Sequence, residues 1–258
     1  MRRALLLAAL LALVAAPGAL ARGISSNWAG WVVVSPNHTR KFTAVSGSWR
    51  VPTVNCEGSA AQSASAYWIG LGGDSERAPG LEQIGTDSDC EHGHPMYYAW
   101  YELIPAESVP LRLRIEPGDL ISAFTSVRGH RVMLRITDVT RRRHILIHRY
   151  APSVDTSSAE WIVEAPLSCT RPGSCAATRL ANFGSVDFLS AHATVGRRTA
   201  SIGWRRWRSS SIELEQAPVR DASGNIVISA DPTPHPTRRG GFIVYWHSHP
   251  APVEARLN

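Results

Sequence analysis

The sequence predicts an all-β chain, a two-sheet antiparallel β-sandwich, on three observations. Short alternating apolar and polar runs recur along its length. Turn residues separate them. Beyond the first 21 residues no window sustains a 3.6-residue apolar period.

Residues 1–21 stand outside that pattern. Arg2 and Arg3 precede an apolar stretch over 4–16, and Ala19-Leu20-Ala21 forms an A-x-A cleavage signal. The stretch is short for a membrane span and no stop-transfer pattern follows it. It reads as a secretory signal peptide, with a retained anchor as the competing interpretation. The remainder is expected to be secreted, extracellular and free of the membrane. Of its 258 − 21 = 237 residues, 22–247 are expected to form one β domain and 248–258 a C-terminal tail.

Strand-like runs cover 28–34, 42–51, 66–72, 97–104, 111–115 and 120–127, then 131–137, 144–149, 160–164, 186–193, 211–215 and 242–246. Between them lie Ser35-Pro36-Asn37, Glu116-Pro117-Gly118-Asp119, Arg128-Gly129 and Ser223-Gly224-Asn225, all turn formers. Only 178–183 resembles a helical turn. Segment 231–241, rich in Pro and Gly, reads as a surface loop before the last strand. Asn37-His38-Thr39 matches a glycosylation sequon, a pattern common by chance.

The formal charge of +6 becomes 6 − 2 = +4 once Arg2 and Arg3 leave with the leader, and Lys41 is the only lysine. Arg-rich stretches at 141–143, 205–206 and 238–239 raise the question of nucleic acid, but no nucleic-acid motif accompanies them. Solvated arginine faces are the expected alternative. Four cysteines in an exported chain imply two disulfides. Cys169 and Cys175 close a short loop and are paired here, leaving Cys56 with Cys90. His92 and His94 after Cys90 suggest a metal, yet CxxC and HExxH spacings are absent, so neither metal nor cofactor is expected.

The stretch Ala159-Glu160-Trp161-Ile162-Val163-Glu164-Ala165-Pro166 carries the chemistry. As a strand it puts Glu160, Ile162 and Glu164 on one face and Trp161 and Val163 on the other. A carboxylate there loses hydration unless something compensates. A solvated sheet face is the competing explanation.

Further stretches make the context specific. They are Ser26-Asn27-Trp28-Ala29-Gly30, the run from Ala66 through Trp68 to Asp74, Glu82-Gln83-Ile84-Gly85, Tyr98-Ala99-Trp100-Tyr101-Glu102 and the closing Phe242-Ile243-Val244-Tyr245-Trp246. In that order they resemble the glutamic peptidases, the eqolisin family, in a bacterial-type member. The resemblance implies a concanavalin-like jelly-roll sandwich and a secreted, acid-acting endopeptidase. It implies Gln83 and Glu164 as the catalytic pair, with Trp68, Trp100, Glu102 and Glu160 binding substrate. The partner is then an extended polypeptide and the enzyme a monomer.

Those residue types suit the reaction. A carboxylate can take a proton from water and return it to the leaving amine. A neutral amide offers N–H donors to an oxyanion and a carbonyl to the water. Two other classes compete. A jelly-roll glycosidase needs carboxyls roughly 5–9.5 Å apart, whereas Glu160 and Glu164 in a regular strand are ~13 Å apart, so Glu164 would need a partner such as Glu102. A non-catalytic carbohydrate-binding sandwich would use some of the nine tryptophans as stacking platforms. Trp28, Trp49, Trp204 and Trp207 are expected in packing instead. The chain departs from the family at Gly72 and Tyr98, where relatives carry acids, so a less extreme pH optimum is expected.

Overall fold

A computed structural model of the chain describes residues 21–35, 41–57, 62–74, 78–171, 174–216 and 228–248. The leader through residue 20, the sequon, the 223–225 turn and the tail from residue 249 lie outside them. The described chain forms β1 (Ala21–Ser25), β2 (Trp28–Val34), β3 (Ala44–Arg50), β4 (Gln62–Ser63), β5 (Ala66–Leu71), β6 (Leu81–Glu91) and β7 (His94–Ile104). Next come β8 (Val109–Arg114), β9 (Leu120–Arg128), β10 (Arg131–Asp138), β11 (Arg143–Tyr150), β12 (Ser158–Glu164) and β13 (Leu167–Arg171). The last are β14 (Ser174–Ala177), β15 (Ser185–Val195), β16 (Arg198–Ser201), β17 (Arg208–Leu214), β18 (Ala230–Pro232) and β19 (Phe242–Trp246).

Two layers result. The first runs β1-β17-β2-β12-β5-β6-β7-β8, with β4 on the end of β6. The second runs from β19 and β16, side by side on one edge of β15, through β15-β3-β9-β10-β11. The layers are not separate sheets. Leu214 pairs with Ala230 and β18 then pairs with β19, so hydrogen bonding continues round a corner. Among these ladders only β1–β17 is parallel.

The layers face each other through large buried side chains, including Trp31, Trp49, Tyr67, Ile69, Trp161 and Phe188. Two indoles also reach across: Trp161 Nε1 donates to Ser46 O at 2.9 Å and Trp49 Nε1 to Thr86 Oγ1 at 3.0 Å. Gly47 is needed at this contact, because a Cβ there would come within 2.8 Å of Ile69 and 2.9 Å of Trp161.

Both expected disulfides form, Cys56–Cys90 and Cys169–Cys175. Two expectations change. Residues 178–183 are extended, because neighbouring segments take their backbone groups: Ala181 N donates to Ala64 O at 3.0 Å and Asn55 N to Asn182 O at 2.8 Å. Of the 141–143 run, Arg142 and Arg143 are exposed as expected, whereas Arg141 is only partly so. It pairs with Glu116, Asp119 and Asp138, the last two buried, and so fastens the start of β9 to the end of β10.

Candidate active site

Alternation along β12 turns Ala159, Trp161 and Val163 into the main core and leaves Glu160, Ile162 and Glu164 on the outer face of the first layer. Strand register arranges that face in three rows. Glu102, Gln83, Gly70, Glu160 and Val32 form the first. Trp100, Gly85, Trp68, Ile162 and Gly30 form the second. Tyr98, Asp87, Ala66, Glu164 and Trp28 form the third. All six residues singled out from the sequence therefore share one face. Gln83 and Glu164 flank β5, two rows apart.

The face is largely covered by its own side chains. Val32, Ala66, Trp68, Leu81, Trp100 and Ile162 pack as an apolar cluster distinct from the main core. Trp68 is fully buried and stands edge-on to Trp28, with ring centres 5.1 Å apart. Its indole fits because β5 and β6 offer glycines beneath it. A Cβ on Gly70 would lie 2.9 Å from Trp68 Cζ3, and one on Gly85 would lie 2.6 Å from Trp68 Cβ.

Glu164 is gripped on both oxygens. Trp68 Nε1 donates to Oε2 at 2.8 Å and Asn27 Nδ2 donates to Oε1 at 3.0 Å. Asn27 is itself set by Ser25, whose hydroxyl donates to Asn27 Oδ1 at 3.2 Å and accepts the Trp28 N–H at 3.1 Å. Burial pushes the Glu164 carboxyl up to about 7, the Trp68 and Asn27 donors oppose the rise, and the charge of Glu102 adds to it. Glu102 thus makes itself felt at Glu164 although two strands intervene.

Gln83 lies within an eleven-residue strand, 3% exposed. Its Nε2 donates to Glu102 Oε2, while its buried Oε1 has no protein hydrogen-bond partner. One N–H and the carbonyl oxygen of this amide remain uncommitted. Burial raises the Glu102 pKa and the Gln83 bond restrains it.

Glu160 is fully buried, which excludes the solvated face. Burial drives its pKa well above the ordinary value, with Ser158 opposing and the charges of Asp74, Asp155 and Glu82 adding to the rise. Trp100 is 7% exposed and donates Nε1 to Asp87. Neither Trp68 nor Trp100 presents an open ring face for stacking on a sugar.

Four residues of this face were given no role from the sequence: Asn27, Asp87, Asp89 and Tyr98. Asn27 stands in a quoted stretch, but its partner is 137 positions away. Tyr98 shows in the sequence only as a departure from the family pattern. Asn27→Ala is expected to raise the Glu164 pKa by about one unit, since a lost donor to a carboxylate disfavours its charged form. Carboxyl 13C NMR titration checks this, and an unmoved titration would remove Asn27 from the site.

Cys90, the cysteine beside His92 and His94, is held in a disulfide and cannot ligate a metal. Among the described residues no group of three or more His, Cys, Asp or Glu side chains is placed to hold one.

The model of the peptidase A4 family matches residues 26–223. Aspergillopepsin-2 of Aspergillus niger is 28% identical over 197 residues, covering 68% of this chain; the match spans 66% of that relative's own length. The fold is that of scytalido-glutamic peptidase, solved with a transition-state analogue inhibitor, with a TM-score of 0.70 and 20% identity over 86% of this chain and 98% of that one. SCP-B, an eqolisin solved with the tripeptide Ala-Ile-His, superposes with a TM-score of 0.66 and 19% identity over 86% and 98%. Aspergilloglutamic peptidase from Aspergillus niger gives 0.56 and 22% over 72% and 99%.

Proposed function

The chain belongs to the peptidase A4 family, the eqolisins or glutamic peptidases, and on that premise we propose that it is an exported endopeptidase that uses Gln83 and Glu164 to hydrolyse extended polypeptides. The observation that carries the assignment is the asymmetry of the outer face. Glu164, on one side of β5, is gripped on both oxygens by Trp68 and Asn27, and on the other side stands the Gln83 amide, whose buried oxygen has no protein partner.

In this reaction ionised Glu164 takes a proton from water as its oxygen bonds to the scissile carbonyl carbon. The carbonyl oxygen becomes an oxyanion and accepts the free N–H of Gln83, whose carbonyl has oriented the water. The C–N bond then breaks and Glu164 returns the proton to the leaving amine. Trp68 and Asn27 hold Glu164 for both transfers, and Glu102 holds the Gln83 amide. Trp100 and the apolar cluster border the substrate strand, and Glu160 lies beneath it. Export is supported by the Ala19-Leu20-Ala21 signal and by two disulfides. The enzyme acts as a monomer, without nucleic acid or membrane as partner.

A base that titrates near 7 places the acid limb of kcat/KM there. Activity is expected to fall about tenfold per pH unit as pH drops further below that value. Acid action is then confined to the mild range. The test is digestion of denatured casein across pH 3 to 8, with products read by mass spectrometry. Internal cleavage with a limb near 7 is expected, whereas full activity at pH 3 would exclude Glu164 as base. Release of reducing sugar from polysaccharides, with casein untouched, would overturn the peptidase assignment.

A further inference from the structure

Tyr98 Oη lies 2.9 Å from Asp87 Oδ2 and 2.9 Å from Asp89 Oδ2. A phenol has one proton to give. Both contacts can be hydrogen bonds only if one carboxyl brings a second proton and donates it into the phenol oxygen. Otherwise a lone pair faces a carboxylate at 2.9 Å. The outer oxygens are already satisfied, Asp87 Oδ1 by Trp100 Nε1 and Asp89 Oδ1 by the Ser65 N–H at 3.2 Å.

Among the described residues no cation acts on the pair. Arg114 of β8, directly across from Tyr98, has an 80% exposed side chain and pairs with Glu116 at 2.5 Å. The other charges nearby are acids: Glu91 of β6 acts on Asp89, and Glu164 of β12 acts on Asp87. On β5, the Tyr67 hydroxyl is engaged with Ser65 Oγ at 2.7 Å, and burial pushes its phenol pKa up. Asp87 is the deeper of the two, 5% exposed where Asp89 is only half-buried, and burial is the leading cause that raises both, Asp89 to about 6 and Asp87 well above the ordinary carboxylate range. The proton therefore rests on Asp87 and the charge on Asp89.

We propose that Asp87 is a neutral carboxylic acid in the working enzyme, donating through Tyr98 to an ionised Asp89, and that it is a positioning residue: it anchors Trp100 and keeps a second negative charge out of the row that holds Glu164. The positioning role rests on the assignment of Glu164 as base. Asp87 and Glu164 are separated in that row only by Ala66, two strand spacings or ~9.5 Å. An ionised Asp87 at that range raises the Glu164 pKa by about one unit at an effective dielectric near 20.

The test uses Asp87→Ala, Asp87→Asn and Asp89→Asn, each alone and combined with Glu164→Gln. Infrared spectra of the Glu164→Gln protein at pH 7 need no activity. One buried carboxylic-acid C=O component should vanish on adding Asp87→Asn, and an unchanged band overturns the neutral Asp87. In the active enzyme, Asp87→Ala should lower kcat/KM at least about tenfold. Asp87→Asn should recover most of the loss, because its amide can donate to Tyr98 and accept from Trp100. Failure of that rescue overturns the positioning role. Asp89→Asn frees the Tyr98 proton for Asp87 and lets Asp87 ionise, so the acid limb should move up by about one pH unit; an unmoved limb also counts against the proposal. If Glu164→Gln itself retains activity, the base assignment fails, while the infrared result still decides where the proton lies.

Discussion

Glu164→Gln is expected to lower kcat/KM on denatured protein by roughly 10²–10⁴-fold, the range over which a positioned general base acts. Gln83→Ala is expected to cost about 10²–10³-fold, the loss usual for one oxyanion donor. Both effects should appear in kcat and leave KM nearly unchanged, since each interaction is made chiefly in the transition state. The double variant should be little worse than Glu164→Gln alone, because an oxyanion donor has nothing to stabilise when no water is activated. Neither residue belongs to the main core between the layers, so in mild acid, where Glu164 keeps its proton in the fold, thermal midpoints should stay close to wild type. Activity surviving both single changes would end the dyad.

The second large effect concerns stability. Glu82 is fully buried directly opposite Leu71, and burial pushes its pKa from 4.5 up to about 8; the Asp155 backbone opposes this and the Asp155 charge adds to it. Between those values the folded chain keeps a proton that the unfolded chain has released. Stability is therefore full in acid and declines as pH rises through this window. Glu82 alone can remove up to about 5 kcal/mol by pH 8, comparable with the whole stability of many domains. Asp89 and Glu164, raised to about 6 and about 7, act in the same direction. Urea denaturation at pH 4, 6 and 8 should show falling midpoints, with Glu82→Gln flattening the decline between 6 and 8. Midpoints that rise toward pH 8 would refute this account. With the acid limb of activity near 7, the working window lies between mild acid and neutrality.

Strand positions were readable where one face is apolar and the other polar. The runs at 28–34 and 242–246 coincide with β2 and β19. β6 escaped because Glu82, Gln83, Asp87, Ser88 and Asp89 break the apolar alternation; its burial comes from β5 and β7 on either side. Glu164 could be placed on a face by period alone, whereas Gln83 stood out only through family resemblance. The burial of Glu160 and Glu82 was not legible, because desolvation depends on which strands and side chains cover a position. The Asn27–Glu164 contact likewise exists only once segments 137 positions apart are brought together, and the Asp89–Tyr98 contact depends on the register of the β6–β7 hairpin.

Cys90 follows Asp89 directly on β6, and its bond to Cys56 sits in a small buried cluster with Val54 and Ala181, against Tyr97. Reducing surroundings would sever that tether at the end of the strand carrying both the amide and the aspartate pair. A reduced copy would thus have every reactive group yet lack the covalent brace behind them.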